Sequence, residues 1–354
     1  AAFHNGLAPV IGPFCSPAEH RHSIEADIRE MRAAGERLDP AASEALAHAM
    51  PPSLEPHLDL VARRLAAGAV RRCHGDLHLR NIVMSGGTPV PFDAIEFSDR
   101  IAIVDVLYDV AFTLMDLLHR DLGALANRLL NEWSWRIADL PDASHEEALA
   151  LLPMFLARRA AIRAYVDAAA AAVGGGVADN ARLYQRLALD FLRPSPPRLV
   201  AVGGLSGSGK TTRALALAPG FGRAPGALVV RTDIERKRLA GVAPEDRLPP
   251  GSYTPESSAR VYAAALARAA QALAAGHSVV LDGVFARPEE RGAAEALALR
   301  CGVPFEGIWL DVSPEIARAR VAARRGDASD ATPDVVDRQF GYDLGEIRWR
   351  RQPA

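Results

Sequence analysis

The chain has 354 residues, of which 49% are apolar and 24% charged, a length beyond what one hydrophobic core usually serves, so two domains are expected. A formal net charge of −2 argues against a dedicated nucleic-acid or membrane-surface binder. No apolar run is long enough for a membrane span and the opening AAFHNGLAPV lacks the charged start and apolar core of a secretion signal, so a cytoplasmic location is expected.

From Ser16 to about Ala69, apolar residues recur at three and four spacing (Ile24, Ile28, Met31; Leu58, Val61, Leu65), which predicts helices. NIVM (Asn81 to Met84), the turn SGGT and PVPFD read as a hairpin that ends on Asp93. After it, IVDVLYDVAFTLMDLLHRDL and the Ala-rich run to Val173 read as helices, interrupted by LPDAS and closed by Gly174 to Gly176. Another helix from Asp179 to Leu192 leads into RPSPPR, whose three prolines predict a linker at 194–198 between a first domain, 1–193, and a second, 199–354. The three cysteines, Cys15, Cys73 and Cys301, are far apart and in no metal or disulfide spacing.

Beyond the linker, RLVAVG, ALVVRTD, SVVLDG and FEGIWLDV are short apolar runs, each followed by helix-like sequence, the pattern of a parallel sheet covered on both faces. EIRWRR is a candidate fifth strand. The fold expected is therefore an α/β domain with a parallel sheet flanked by helices, preceded by a mainly helical α+β region. Before Pro197 there are 19 basic and 25 acidic residues, and after it 22 and 18, so the second part at +4 is mildly suited to anionic ligands.

Gly204, four residues, Gly209, Lys210 and Thr211 fulfil the P-loop pattern G-x-x-x-x-G-K-[ST] between a predicted strand and a predicted helix. Gly204, Gly207, Ser208, Gly209, Lys210, Thr211 and Thr212 are the expected phosphate-binding residues: backbone amides curl round the phosphates, Lys210 meets the β and γ phosphates, and Thr211 can hold Mg²⁺. Asp233, at the end of ALVVRTD, can take a proton from an attacking hydroxyl or cap the helix that follows, while Arg231, Arg236 and Lys237 can hold an anionic acceptor. Asp282, at the end of SVVLDG, is placed to support the metal. Arg318, Arg320, Arg324 and Arg325 in RARVAARRGDASDA read either as lid arginines that neutralise charge on a transferred phosphoryl, with Arg324 the catalytic candidate, or as a solvated face paired with Asp327, Asp330 and Asp334.

HGDLHLRN places His74, Asp76 and Asn81 in H-x-D-x-x-x-x-N, in which the Asp accepts a hydroxyl proton and the Asn binds Mg²⁺, and Asp93 in PFDAIEF stands where a second metal-binding aspartate would be. Asp105 and Asp109 are expected to brace this loop or face solvent. Kinases of this type pair a lysine with the α and β phosphates, yet residues 1 to 209 contain no lysine. Asp76, Asn81 and Asp93 are therefore expected to be a vestigial or conditional site. The start at AAFHN, without Met, is read as a sequence that begins after a nucleotide-holding lobe.

On GLSGSGKT, RTDIERKR and RVAARR, residues 198 to about 350 resemble small P-loop kinases of the gluconate kinase, zeta toxin and polynucleotide kinase group. On HGDLHLRN and FDAIEF, the first part resembles aminoglycoside phosphotransferases. HGDLHLRN, FDAIEF, LYDVAF, GLSGSGKTT, VLDGVF and DASDA together make the chain similar to a bacterial family of bifunctional aminoglycoside phosphotransferase-like and ATP-binding proteins. The resemblance implies an ATP- and Mg²⁺-dependent kinase acting on an alcohol group of a small-molecule or nucleotide-like acceptor through the second domain. It implies no membrane partner, and nucleic acid only as a 5′-hydroxyl acceptor. The alternative is an ATP-binding regulatory module whose first domain recognises a ligand or partner without catalysis.

Overall fold

Capping residues and prolines set the starts of the first helices. In the computed structural model, which describes residues 1–172, 178–324 and 326–354, α1 (Pro17–Ala34) begins after Ser16, whose hydroxyl accepts from the Glu19 amide at 3.2 Å. Helix α2 (Pro40–Leu54) begins after Asp39, which accepts from the Ala41 amide at 2.9 Å, and α3 (Leu58–Ala66) follows. The chain forms two compact units: Ala1–Leu130 with Ile137–Pro194, and Asn131–Arg136 with Ser195–Ala354. Residues 194–198 carry no regular structure, and the Gly174 to Gly176 break expected after Val173, together with Arg325, lies outside the described residues.

In the first unit, β1 (Val70–Arg72) pairs antiparallel with β4 (Ile103–Asp105), and β2 (Ile82–Ser85) pairs with β3 (Thr88–Pro91) in the expected hairpin. Helix α4 (Val106–His119) is buried from Val106 to Leu117. Its N-cap Asp105 accepts from the Leu107 amide at 2.8 Å and pairs with the equally buried Arg64 at 2.7 Å. Burial raises the Asp105 carboxyl, but Arg64 and the Leu107 amide more than offset this and hold it below its ordinary value. Helices α5 (Gly123–Arg136), α6 (Leu152–Ala172) and α7 (Ala178–Leu192) follow, the last six residues of α5 belonging to the second unit.

The second unit is built on five parallel strands: β5 (Leu199–Gly203), β6 (Leu228–Arg231), β7 (Val279–Asp282), β8 (Phe305–Asp311) and β9 (Arg350–Pro353), in the order β6-β7-β5-β8-β9. Strands β5, β6 and β7 are buried along their whole length, which is why they read as continuous apolar runs. Val200, Val202, Val229, Val280, Ile308 and Leu310 pack with Ala214 of α8 (Lys210–Leu217) and Ile234 of α9 (Thr232–Leu239) in one core. Helices α10 (Pro255–Ala274), α11 (Pro288–Cys301), α12 (Pro314–Ala323) and α13 (Pro333–Phe340) complete the unit.

The fifth strand is displaced from EIRWRR and starts at Arg350, opposite Ile308. Trp349 is 5% exposed; its ring lies 5.0 Å from that of Phe285 and occupies the space left by the missing side chains of Gly203 and Gly307. Burying the indole takes that part of the chain out of the ladder. Among the described residues no helix is long and apolar enough to cross a membrane.

His20 and His145 in the first unit and His277 in the second are buried, and burial pushes each imidazole down to about 4. The folded pKa lies below the ordinary 6.5, so the unfolded chain takes up the extra protons as pH falls from 6.5 towards 4, and the folded state loses stability across that window. Each histidine costs up to about 3 kcal/mol at the acid end. Melts followed by circular dichroism at stepped pH are expected to show the midpoints falling through this window; a flat profile would contradict the neutral buried imidazoles.

Candidate functional site

Strand β5 ends at Gly203 and α8 begins at Lys210, so the intervening loop turns back over the carboxyl edge of the sheet, where open α/β sheets present ligands. Two of its glycines could hardly be anything else. Gly204 has φ 144° and Gly207 φ 84°, and a Cβ at Gly204 would lie 2.6 Å from Ser208 Oγ, one at Gly207 2.5 Å from the Ala317 carbonyl oxygen. Gly209, also left-handed, caps α8, and the first-turn amides of Lys210, Thr211 and Thr212 have no carbonyl partner within the helix. Ser208 is fully buried, and its hydroxyl has no hydrogen-bond partner among the described residues.

Lys210 Nζ donates to the Leu205 carbonyl of its own loop at 3.1 Å. Burial lowers the ammonium's pKa, with Asp282 and Asp233 acting in the opposite direction. Thr211 Oγ1 donates to Asp282 Oδ2 at 2.6 Å, so the first turn of α8 and the end of β7 bring two oxygen ligands together. Burial raises the Asp282 carboxyl, and Arg231 and Lys210 offset this only in part. Arg231 Nε lies 3.3 Å from Asp282, its Nη2 is 3.4 Å from Thr211 Oγ1, and the same nitrogen pairs with Asp327 at 2.7 Å.

Asp233 is the second residue of α9, whose N-cap is Arg231, so it is not the cap itself. Half-buried, its carboxylate makes no hydrogen bond or ion pair among the described residues, although Lys210, Arg231, Tyr253 and Tyr262 all feel its charge. The three cations expected to hold an anionic acceptor are internal ties instead. Arg231 is held as above, Arg236 donates to the Ser252 carbonyl and to Ser257 and Ser258, and Lys237 is buried against Asp330. Asp330 also accepts from Tyr253 and from the Leu248 amide at 3.1 Å. Asp327 and Asp330 thus pin the segment after α12 to both sides of Asp233, a role that local sequence does not reveal.

Of the lid arginines, Arg320 reaches the loop, donating to the Gly207 carbonyl at 3.3 Å. Arg324 ends α12, pairs with Asp327 at 3.4 Å, and depresses the Lys210 ammonium electrostatically. Arg318 pairs with Asp337 on the surface.

In the first unit the H-x-D loop is braced from α4. Asp109, wholly buried, accepts from the amides of His74 at 3.3 Å and Gly75 at 2.9 Å, with His4 Nε2 at 3.1 Å. Asn81 Nδ2 donates to the Asp76 carboxylate at 3.0 Å. Burial raises the Asp76 carboxyl, but His78, Arg159 and Asn81 more than offset this and hold it low. The Phe92 amide donates to the Asn81 carbonyl at 2.9 Å; Asp93 follows it in the chain, with its side chain exposed and making no hydrogen bond among the described residues.

With this geometry in view, residues 2–172 match the phosphotransferase enzyme family and residues 199–342 match a family described as an AAA domain. Uncharacterized proteins of Mycobacterium bovis and Mycobacterium tuberculosis are 32% identical over 296 residues, 81% of this chain and 57% of each relative, so the chain spans little more than half their length. Among solved structures, a gluconokinase from Sinorhizobium meliloti 1021 is similar at 23% identity, with 46% of this chain and 84% of that one covered and a TM-score of 0.32. A putative kinase from Chloroflexus aurantiacus J-10-fl is similar at 19% identity, covering 44% and 86%, with a TM-score of 0.34. The two family matches thus fall on separate parts of the chain, before and after residues 194–198.

Proposed function

We propose that the P-loop region moves the γ-phosphoryl of ATP to a hydroxyl of a small-molecule or nucleotide-like acceptor. The observation that carries this reading is the loop itself: a cradle whose glycines leave no room for Cβ atoms, an orphaned Ser208 hydroxyl, and Lys210 and Thr211 at the start of α8. The donor set suits a nucleotide with its metal, since Thr211 and Asp282 are hard oxygen ligands 2.6 Å apart. They would hold Mg²⁺, which when bound neutralises charge on phosphate oxygens.

The loop amides and Lys210 bind and orient the phosphates. Asp233, unpaired at the carboxyl end of β6, receives the proton of the attacking hydroxyl as the acceptor oxygen bonds to phosphorus and the bridging oxygen leaves with ADP. Arg320 and Arg324, from the end of α12, neutralise charge gathered on the phosphoryl group. Arg231 contacts both Asp282 and Thr211, and for these two to hold the metal it would have to leave them, with Asp327 positioned to keep it.

A transfer screen with ATP labelled in the γ-phosphate and cell-extract metabolites tests the reading. A labelled acceptor supports it; tight ATP binding without any labelled product would favour the regulatory module. Asp76→Asn is expected to leave transfer unchanged within about twofold, because the first region contributes no lysine and leaves Asp93 exposed. A drop of more than tenfold would assign that site to the reaction.

A further inference from the structure

The first unit encloses a cavity of about 490 Å³, inside the size range of small-molecule sites, with Gly75 and Asp76 at one side and helices α1 and α6 forming much of its wall. Its apolar surface comes from residues such as Phe14, Ile95, Tyr108, Phe112 and Ile162. The polar groups are unequally satisfied. Asp27 is already paired with Arg158 at 2.8 Å and accepts from Tyr165 at 3.3 Å, and Glu19 is paired with Arg100 at 2.7 Å. Both carboxylates are thereby spent on the protein's own cations.

Arg159, also in the lining, has no such partner among the described residues. It is 4% exposed; its Nη1 donates to the Gly75 carbonyl at 3.1 Å and its Nε to the Tyr108 carbonyl at 3.3 Å, while Nη2 has no hydrogen-bond partner. The guanidinium lies 3.9 Å from the ring centre of Tyr108 and 4.6 Å from that of Phe112. Asp76 and Asp109 feel its charge, but neither forms an ion pair with it. A cation this deeply buried against carbonyls and rings is costly unless an anion completes it. Of the other polar groups in the lining, Arg163 is spent on Asp167, Asp76 is tied to His78 at 3.3 Å and to Asn81, and His20 is held neutral by burial and by Arg158.

We propose that this cavity binds a small hydroxylated compound bearing an oxyanion, a carboxylate or phosphate, which pairs with Arg159 and sets the polar end of the ligand near Asp76. With Arg100, Arg158 and Arg163 each paired with a carboxylate and Asp76 tied to His78 and Asn81, Arg159 is the charge the lining leaves for a ligand, and so it disfavours cationic amino sugars. The site lies wholly within the first unit and is independent of phosphoryl transfer by the P-loop.

Isothermal titration of the full chain carrying Lys210→Ala, which keeps phosphate ligands from using the P-loop lysine, tests this with four matched probes: glucuronate, glucose 6-phosphate, glucose and glucosamine. One or both oxyanions are expected to bind, with the preferred arm distinguishing carboxylate from phosphate, and the neutral and cationic sugars to bind at least about tenfold more weakly. Arg159→Gln is expected to weaken oxyanion binding by at least about tenfold. Should that variant fail to fold, Val166→Trp, at a rim position 41% exposed, fills the mouth of the cavity and should do the same. Binding of neither oxyanion, equal binding of glucosamine, or oxyanion binding untouched by these substitutions would overturn the proposal.

Discussion

Lys210→Ala is expected to lower ATP turnover by at least about 1,000-fold while the chain stays folded. Lys210 is the first of only two lysines in the sequence, and the other, Lys237, is buried against Asp330 and cannot replace it. Its Nζ rests on the Leu205 carbonyl of its own loop, so its positive charge is preorganised where phosphate oxygens would lie. Alanine removes that charge but leaves the glycine backbone and the helix start intact, so thermal unfolding should change little. Steady-state turnover with melting as the control measures this, and wild-type turnover by the variant would remove the P-loop from the account.

Asp233→Asn is expected to lower phosphoryl transfer by about 100- to 10,000-fold with ATP affinity retained. Asparagine keeps the shape of the side chain and its place in the first turn of α9 but cannot take up the proton. Because Asp233 makes no ion pair or hydrogen bond among the described residues, no internal tie is lost with the charge. Turnover measured beside equilibrium ATP binding separates the roles. A parallel loss of ATP affinity would point to metal support or folding instead.

The second region is legible in the sequence because its signals are local. Gly204, Gly207 and Gly209 stand where positive φ is needed, and buried parallel strands leave unbroken apolar runs that place Asp233 and Asp282 near strand ends. Long-range pairs are not legible in this way. Arg231 with Asp327 and Lys237 with Asp330 are 96 and 93 residues apart, so cations suggestive of an acceptor site prove to be ties. Trp349 reads as strand by pattern, but its burial beside Gly203 and Gly307 shifts the ladder. Arg159 reads as one more charge on an Ala-rich helix; only the fold shows that it is buried and has no ion pair among the described residues. Asp109 is the converse case, expected to brace the loop or face solvent, and found holding the His74 and Gly75 amides from within the core.

The central claim, that the P-loop is the working phosphotransfer site in this chain, is tested most directly by one labelled-phosphate transfer assay run on wild type, Lys210→Ala and Asp76→Asn side by side. The account predicts labelled acceptor from wild type and Asp76→Asn and none from Lys210→Ala. Product retained by Lys210→Ala and lost in Asp76→Asn would contradict it and move the chemistry to the first region.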